Sequence, residues 1–190
     1  MSHRSLRHRL LGALILPVAL LAAAGCGGTT DSGSGDTAAA ASPAASATPV
    51  TVTHAQGTAT IPSTPQKVVV FDIGVLATLH DLGVKVAGVP ELQTLPDSLA
   101  EYASDAYPKV GSLFEPNYEK VNELAPDLII VAGRSAPAYA ELSKIATTVD
   151  LTVDSTDFLA GFRQRTEALA AIFGKQDQVE QRLDALDQAV

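Results

Sequence analysis

Residues 128–132 read Leu-Ile-Ile-Val-Ala, a run with no polar position and three β-branched residues in sequence. A strand of that kind has both faces covered by protein, and a sheet covered on both faces is characteristically parallel, with helices in the crossovers. The rest of the chain supplies the other parts. Val68-Val69-Val70-Phe71 is a second apolar run, and residues 84–89 and 149–153 read as further strands. Between them lie helical periods. Leu76, Leu79 and Leu82 mark residues 74–82 before a terminating Gly83, and Leu99 and Tyr102 face inward from residues 96–106. Pro116 occupies a first helical position ahead of Tyr118, Val121 and Leu124, and Tyr139, Leu142 and Ile145 mark residues 136–145. Val110-Gly111-Ser112 is a short strand end. Alternation with short connections predicts a Rossmann-like α/β lobe, a parallel sheet with flanking helices. A β-hairpin precedes it, with Val50-Thr51-Val52-Thr53 and Thr58-Ala59-Thr60-Ile61 joined by a turn through Gly57.

Composition closes off other classes. With 46% hydrophobic residues the chain can bury a core, so disorder is excluded for its bulk. A net charge of −8 argues against nucleic acid as a partner, because phosphate binding needs a concentrated positive stripe. The single cysteine, Cys26, leaves no internal disulfide and no CxxC zinc site, and His54 and His80 are the only histidines beyond residue 25.

The N-terminus reads as an export signal. Arg4, Arg7 and Arg9 precede an apolar run over residues 10–24 that is too short for a membrane span of about 20 residues. Ala23-Ala24-Gly25-Cys26 closes it and resembles a bacterial lipobox, although Ala23 stands where such motifs usually carry Leu. That resemblance makes Cys26 the lipidated first residue of the mature protein, anchored on the extracytoplasmic face of the cell membrane. Residues 27–49, rich in Gly, Ser, Thr, Ala and Pro, have the composition of a flexible tether reaching roughly 25 to 30 Å. The expected organisation is a signal peptide at 1–25, a tether at 26–49, a folded lobe at 50–175 and a further helix from 176. Phe158, Phe162, Leu169, Ile172 and Phe173 mark one helix ended by Gly174. Val179, Leu183, Leu186 and Val190 mark that further helix, whose apolar stripe is expected to find its other contacts beyond residue 190.

Ligands on a parallel sheet sit at the carboxyl ends of its strands, which directs attention to the loops at 72–74, 111–115 and 133–135. Arg134 follows Gly133 at the end of an apolar strand and is expected to project over that edge. Gly74, at the head of the first helix, is expected to leave backbone N–H groups facing an anion, and Gly111 and Ser112 occupy an equivalent edge. The ordinary alternatives are a surface arginine and glycines required only by turns. His54 and His80 read as a hairpin and a helix residue. Tyr102, Tyr107, Tyr118 and Tyr139 read as core or half-buried positions.

Lys67-Val-Val-Val-Phe-Asp72, the helix to Gly83, Gly111-Ser-Leu-Phe-Glu-Pro-Asn-Tyr-Glu-Lys-Val121 and Ala125-Pro-Asp-Leu-Ile-Ile-Val-Ala-Gly-Arg134 together resemble the Fe³⁺-siderophore and cobalamin class of ABC-transporter substrate-binding proteins. The resemblance runs over residues 1–190 and is nearest to lipoproteins that capture catecholate siderophores of the petrobactin type. It implies two α/β lobes joined by a long helix, of which this sequence supplies the first lobe and the start of the interlobe helix. It further implies a non-enzymatic protein without a cofactor, iron entering only as a ferric siderophore. Arg134 would contact that ligand, and Glu119 would dock on an ABC permease working with its ATPase. Alternatives are a cobalamin- or haem-binding protein of the same class, or a surface lipoprotein acting by protein contact alone. A dinucleotide enzyme is disfavoured because Val70-Phe71-Asp72-Ile73-Gly74 carries no GxGxxG.

Overall fold

Alternating Val and Thr in the hairpin puts the apolar side chains on one face. In the computed structural model, which describes residues 48–189, β1 (Val50–His54) pairs antiparallel with β2 (Gly57–Ile61), Val52 opposite Ala59. Val52 and Ile61 are buried while the intervening threonines are exposed. Gly57, at φ 136°, takes the chain out of the turn in a conformation that side chains resist. The signal peptide, Cys26 and all but the last two residues of the tether lie outside the described residues, as does Val190.

The parallel sheet is built as the apolar runs require. Its order is β3 (Val68–Val70), β4 (Leu128–Val131), β5 (Thr148–Asp150), with Val69 beside Ile129 and Ile130 beside Val149. All ten positions are buried. Val68, Val70, Leu128, Ile130 and Val149 pack on Leu76, Leu79, Leu169 and Ile172. From the opposite face Val69, Phe71, Ile129 and Val131 pack on Val121 and Leu142. Each fully buried side chain of this size contributes about 1.5 to 3 kcal/mol, so the two-sided core dominates the lobe's stability.

Helices occupy both faces. α1 (Ile73–Asp81) is capped by Asp72, whose Oδ1 accepts from Val75 N–H at 2.9 Å, and the chain leaves it through Gly83 at φ 68°. α2 (Tyr118–Leu124), α3 (Tyr139–Leu142), α4 (Phe158–Phe173) and α5 (Gln176–Ala189) follow. Gly174, left-handed at φ 65°, ends α4 as expected.

Several elements differ from the sequence expectation, each for a local reason. Residues 84–89 run beside β3 but form only isolated bridges, Val69 with Gly88 and Val89 with Lys109. Pro90 has no N–H to extend the ladder, and Gly88 lets the chain lie against Leu124 and Val110, where a Cβ would come within 3.0 Å. The expected strand end at 110–112 is likewise one bridge, Gly111 with Pro116. Residues 97–103 form a 3₁₀ helix that still buries Leu99 and Tyr102. Pro116 precedes the N-cap: Asn117 caps α2 by accepting from Lys120 N–H at 3.0 Å. The helix expected at 136–145 is a 3₁₀ turn over Gly133–Ala138 followed by the four residues of α3, since Pro137 withholds an N–H inside it. β5 ends at Asp150 rather than at 153, and Tyr118 and Phe158 are exposed rather than inward. Val179 and Leu183 of α5 are buried within the lobe against Leu82 and Ala170, so that much of the stripe is covered.

Candidate functional site

Three strands ending at one edge bring their following residues together. β3 runs through Phe71 into Asp72, β4 into Ala132-Gly133-Arg134, and β5 into Leu151-Thr152. Polar groups join these ends. Gly133 N–H donates to Thr152 Oγ1 at 2.8 Å, and the Thr152 hydroxyl and N–H both donate to Asp150 Oδ1. Gln56 of the hairpin turn donates to Asp150 Oδ2 at 3.0 Å, and Ala55 N–H donates to Asp150 O. Asp150 is 1% exposed, and this carboxylate fastens the hairpin and the β4 loop to the end of β5. Donors on both of its oxygens order the groups around it.

Arg134 sits where the sequence directs it along the chain, in the turn after β4. Its side chain is exposed and forms no ion pair among the described residues. Gly133 reaches φ 52° to make that turn, and Ser135 Oγ closes it by accepting from Ala132 N–H. Gly111 is required by its own loop. At φ 97°, a Cβ there would lie 2.5 Å from Asn117 N and Glu115 O. The Ser112 N–H is bonded to Glu115 O, and the Ser112 hydroxyl accepts from the Phe114 and Glu115 N–H groups. Its backbone donor is therefore spent inside the turn, and only the hydroxyl proton is left to donate outward. The same turn presents Phe114 at 69% exposure. Glu119 is exposed in the first turn of α2.

Gly74 has a neighbour that the sequence reading did not anticipate. A Cβ on it would meet Asp72 Oδ1 at 3.2 Å and both terminal nitrogens of Arg165 at 3.3 Å. Glycine at this place makes room for a guanidinium from α4. Arg165 has a side chain 13% exposed and an ion pair with Asp72 at 4.0 Å, beyond hydrogen-bond reach. Its guanidinium lies 5.5 Å from the Phe162 ring, and burial pulls its pKa below the ordinary value while Asp72 pulls it back. The signal was present in the sequence. Residues 158, 162, 165, 169 and 172 share one helical stripe, and position 165 is its charged interruption.

Among the described residues no three His, Cys, Asp or Glu converge on a metal position. The edge instead offers hydrogen-bond donors and two arginines, Arg134 in the turn after β4 and Arg165 on α4.

A parallel sheet covered by helices on both faces, with polar groups gathered at its strand ends, defines an α/β lobe. The chain belongs to the periplasmic binding protein family, whose family model matches residues 68–190. It is 45% identical over 132 residues to the petrobactin-binding protein YclQ of Bacillus subtilis, covering 68% of this chain and 41% of that protein. It is 30% identical over 148 residues to the ferric-anguibactin-binding protein FatB of Vibrio anguillarum, covering 75% and 46%. Among solved structures, the periplasmic catecholate-siderophore binding protein VctP from Vibrio cholerae superposes with a TM-score of 0.71 at 35% identity, over 74% of this chain and 50% of that one. The chain thus spans about half or less of the length of the relatives it matches.

Proposed function

We infer that this chain is the first lobe of a solute-binding component of an ABC importer, which captures a ferric siderophore of the catecholate type and hands it to a membrane permease. It performs no catalysis and uses no resident cofactor; iron enters only inside the ligand. The observation that carries this is Arg134, exposed and without an ion pair among the described residues at the carboxyl end of β4, in a lobe similar to two proteins named for catecholate and petrobactin binding. Ferric catecholates are multiply anionic, and a planar fork of five donors holds their oxygens without losing its charge. Gly74, Gly111 and Ser112 are the other contacts of this reading, and the Ser112 hydroxyl keeps a proton to donate. Glu119, on the solvent face of α2, is the permease-docking residue, and Cys26 carries the lipid that keeps the protein on the extracytoplasmic face.

A ferric tris-catecholate titration followed by tyrosine fluorescence tests this reading, the chain having 4 Tyr and no Trp. In a two-lobed protein carrying this lobe, Arg134→Ala should weaken binding by about 1.5 to 3 kcal/mol, the scale of a hydrogen bond to a charged group. Arg134→Lys should restore only part of it. Wild-type affinity in Arg134→Ala removes Arg134 from the site, and absence of any ferric-chelate binding, in this chain and in a two-lobed protein carrying it, overturns the function.

A further inference from the structure

A cavity of about 200 Å³ opens beside the strand ends, lined by His54, Asp150, Thr152, Gly161, Gln164 and Arg165 among others. One of its lining residues, Thr152, also holds the Arg134 loop by accepting from the Gly133 N–H. Two buried side-chain nitrogens among the described residues lack a hydrogen-bond partner, His54 Nε2 and Arg165 Nε, and both belong to residues of this one wall. Both are donors. Arginine has no acceptor at all. His54 Nδ1 accepts from Gln56 N–H at 3.2 Å, and burial holds the ring's pKa down, which places its remaining proton on Nε2. The acidic group in the wall, Asp150, has its two oxygens engaged by Gln56 and Thr152. Asp72 spends its Oδ1 on the cap of α1. Neither nitrogen reaches an acceptor in this wall, and beside a guanidinium the favoured acceptor is a planar oxyanion.

Resting on the function inferred above, we propose that this cavity is a second ligand subsite, in which Arg165 binds a carboxylate-bearing arm of the ferric chelate. Its volume is below the roughly 300 to 1,000 Å³ of sites that enclose a whole drug-sized ligand, so it takes one arm while the chelate body rests over Arg134. Gly74 serves the subsite by leaving the guanidinium its space. Gly161 lets α4 approach the end of β5, since a Cβ there would come within 2.7 Å of Val153. A half-buried cation with one long ion pair is also a burden on the free protein, which distinguishes a binding arginine from a structural one.

The test uses the full chain, with benzoate as the planar oxyanion and benzamide as its neutral isostere. Titration followed by ¹⁵N–¹H resonances should move the Arg165 Nε–H, the His54 ring and the Gly133 amide with benzoate, at least tenfold more strongly than with benzamide. Arg165→Met should abolish the response, and Arg165→Lys should keep a minor part. The same Arg165→Met protein should melt at the wild-type temperature or up to about 5 °C above it. Equal response to benzamide, no response to benzoate, or a melting point lowered by more than about 5 °C would each overturn the subsite. Gallium(III) citrate, a diamagnetic ferric-chelate analogue, should displace benzoate better than metal-free citrate. The reverse order would assign the carboxylate to a free acid and overturn the chelate-arm assignment. A chelate bound equally by wild type and Arg165→Met sinks only this subsite, whereas a benzoate response without any ferric-chelate binding sinks the function instead.

Discussion

His54 shows how one side chain ties the hairpin to the sheet and makes stability depend on pH. Its ring lies 5.5 Å from that of Tyr139, with Asp150 and Arg165 in the same pocket wall. Burial pushes its pKa below 6.5 and Asp150 offsets only part of that. Below 6.5 the unfolded chain takes up this proton before the folded one, so stability rises with pH across the window between the depressed folded value and 6.5. The contribution is complete above 6.5 and is lost as pH falls through the folded pKa. Thermal midpoints at pH 7.5, 6.5 and 5.5 should therefore fall more steeply for wild type than for His54→Phe, and parallel curves would refute the assignment. Residue roles were only partly legible beforehand. Arg134 could be located because it follows an unbroken apolar strand, whereas Arg165 and His54 meet only through the packing of α4 on β1, which a local pattern does not encode.

The loops between elements carry two glycines whose demands differ in kind. Gly111 is both left-handed and crowded, its missing Cβ being 2.5 Å from two backbone atoms that cannot move without opening the turn. Gly133 is left-handed with nothing within 4 Å of the Cβ position. Gly133→Ala should cost about 1 to 2 kcal/mol, the ordinary penalty of a left-handed L residue. Gly111→Ala adds the clash and should cost more, about 3 kcal/mol or beyond, while loosening the Ser112 turn. Urea unfolding of the two variants checks the order, and equal losses would mean that the 111–116 turn rearranges freely. The same local physics explains which elements could be read in advance. Leu128–Val131 and α1 follow from unbroken periodicity and clear caps, but Gly88 and Pro90 reduce an apolar stretch to bridges, and Pro137 turns a helical period into a 3₁₀ turn.

At the scale of the molecule, the groups proposed to bind ligand stand on an open edge. Arg134 and Phe114 are exposed to water, and the adjoining cavity of about 200 Å³ is too small to enclose a ferric chelate. Charged contacts on such a surface are screened within about 8 to 10 Å at ordinary ionic strength and are individually worth about 1 kcal/mol or less. On the proposed reading, Arg134 and Arg165 would therefore supply recognition without strong retention unless a second wall excludes water from the ligand. The relatives YclQ and VctP are about twice as long as the matched segment, so each has protein to form such a wall. The 190-residue chain should accordingly bind a ferric catecholate at least about a hundredfold more weakly than a two-lobed protein carrying the same lobe, with an affinity that falls steeply between 0.05 and 0.5 M salt, a range that spans roughly a threefold change in Debye length. Calorimetry at the two salt concentrations measures both quantities. Tight binding by this chain as a monomer, insensitive to salt, would show that the strand-end edge and its cavity enclose the chelate unaided and that a second wall is not needed.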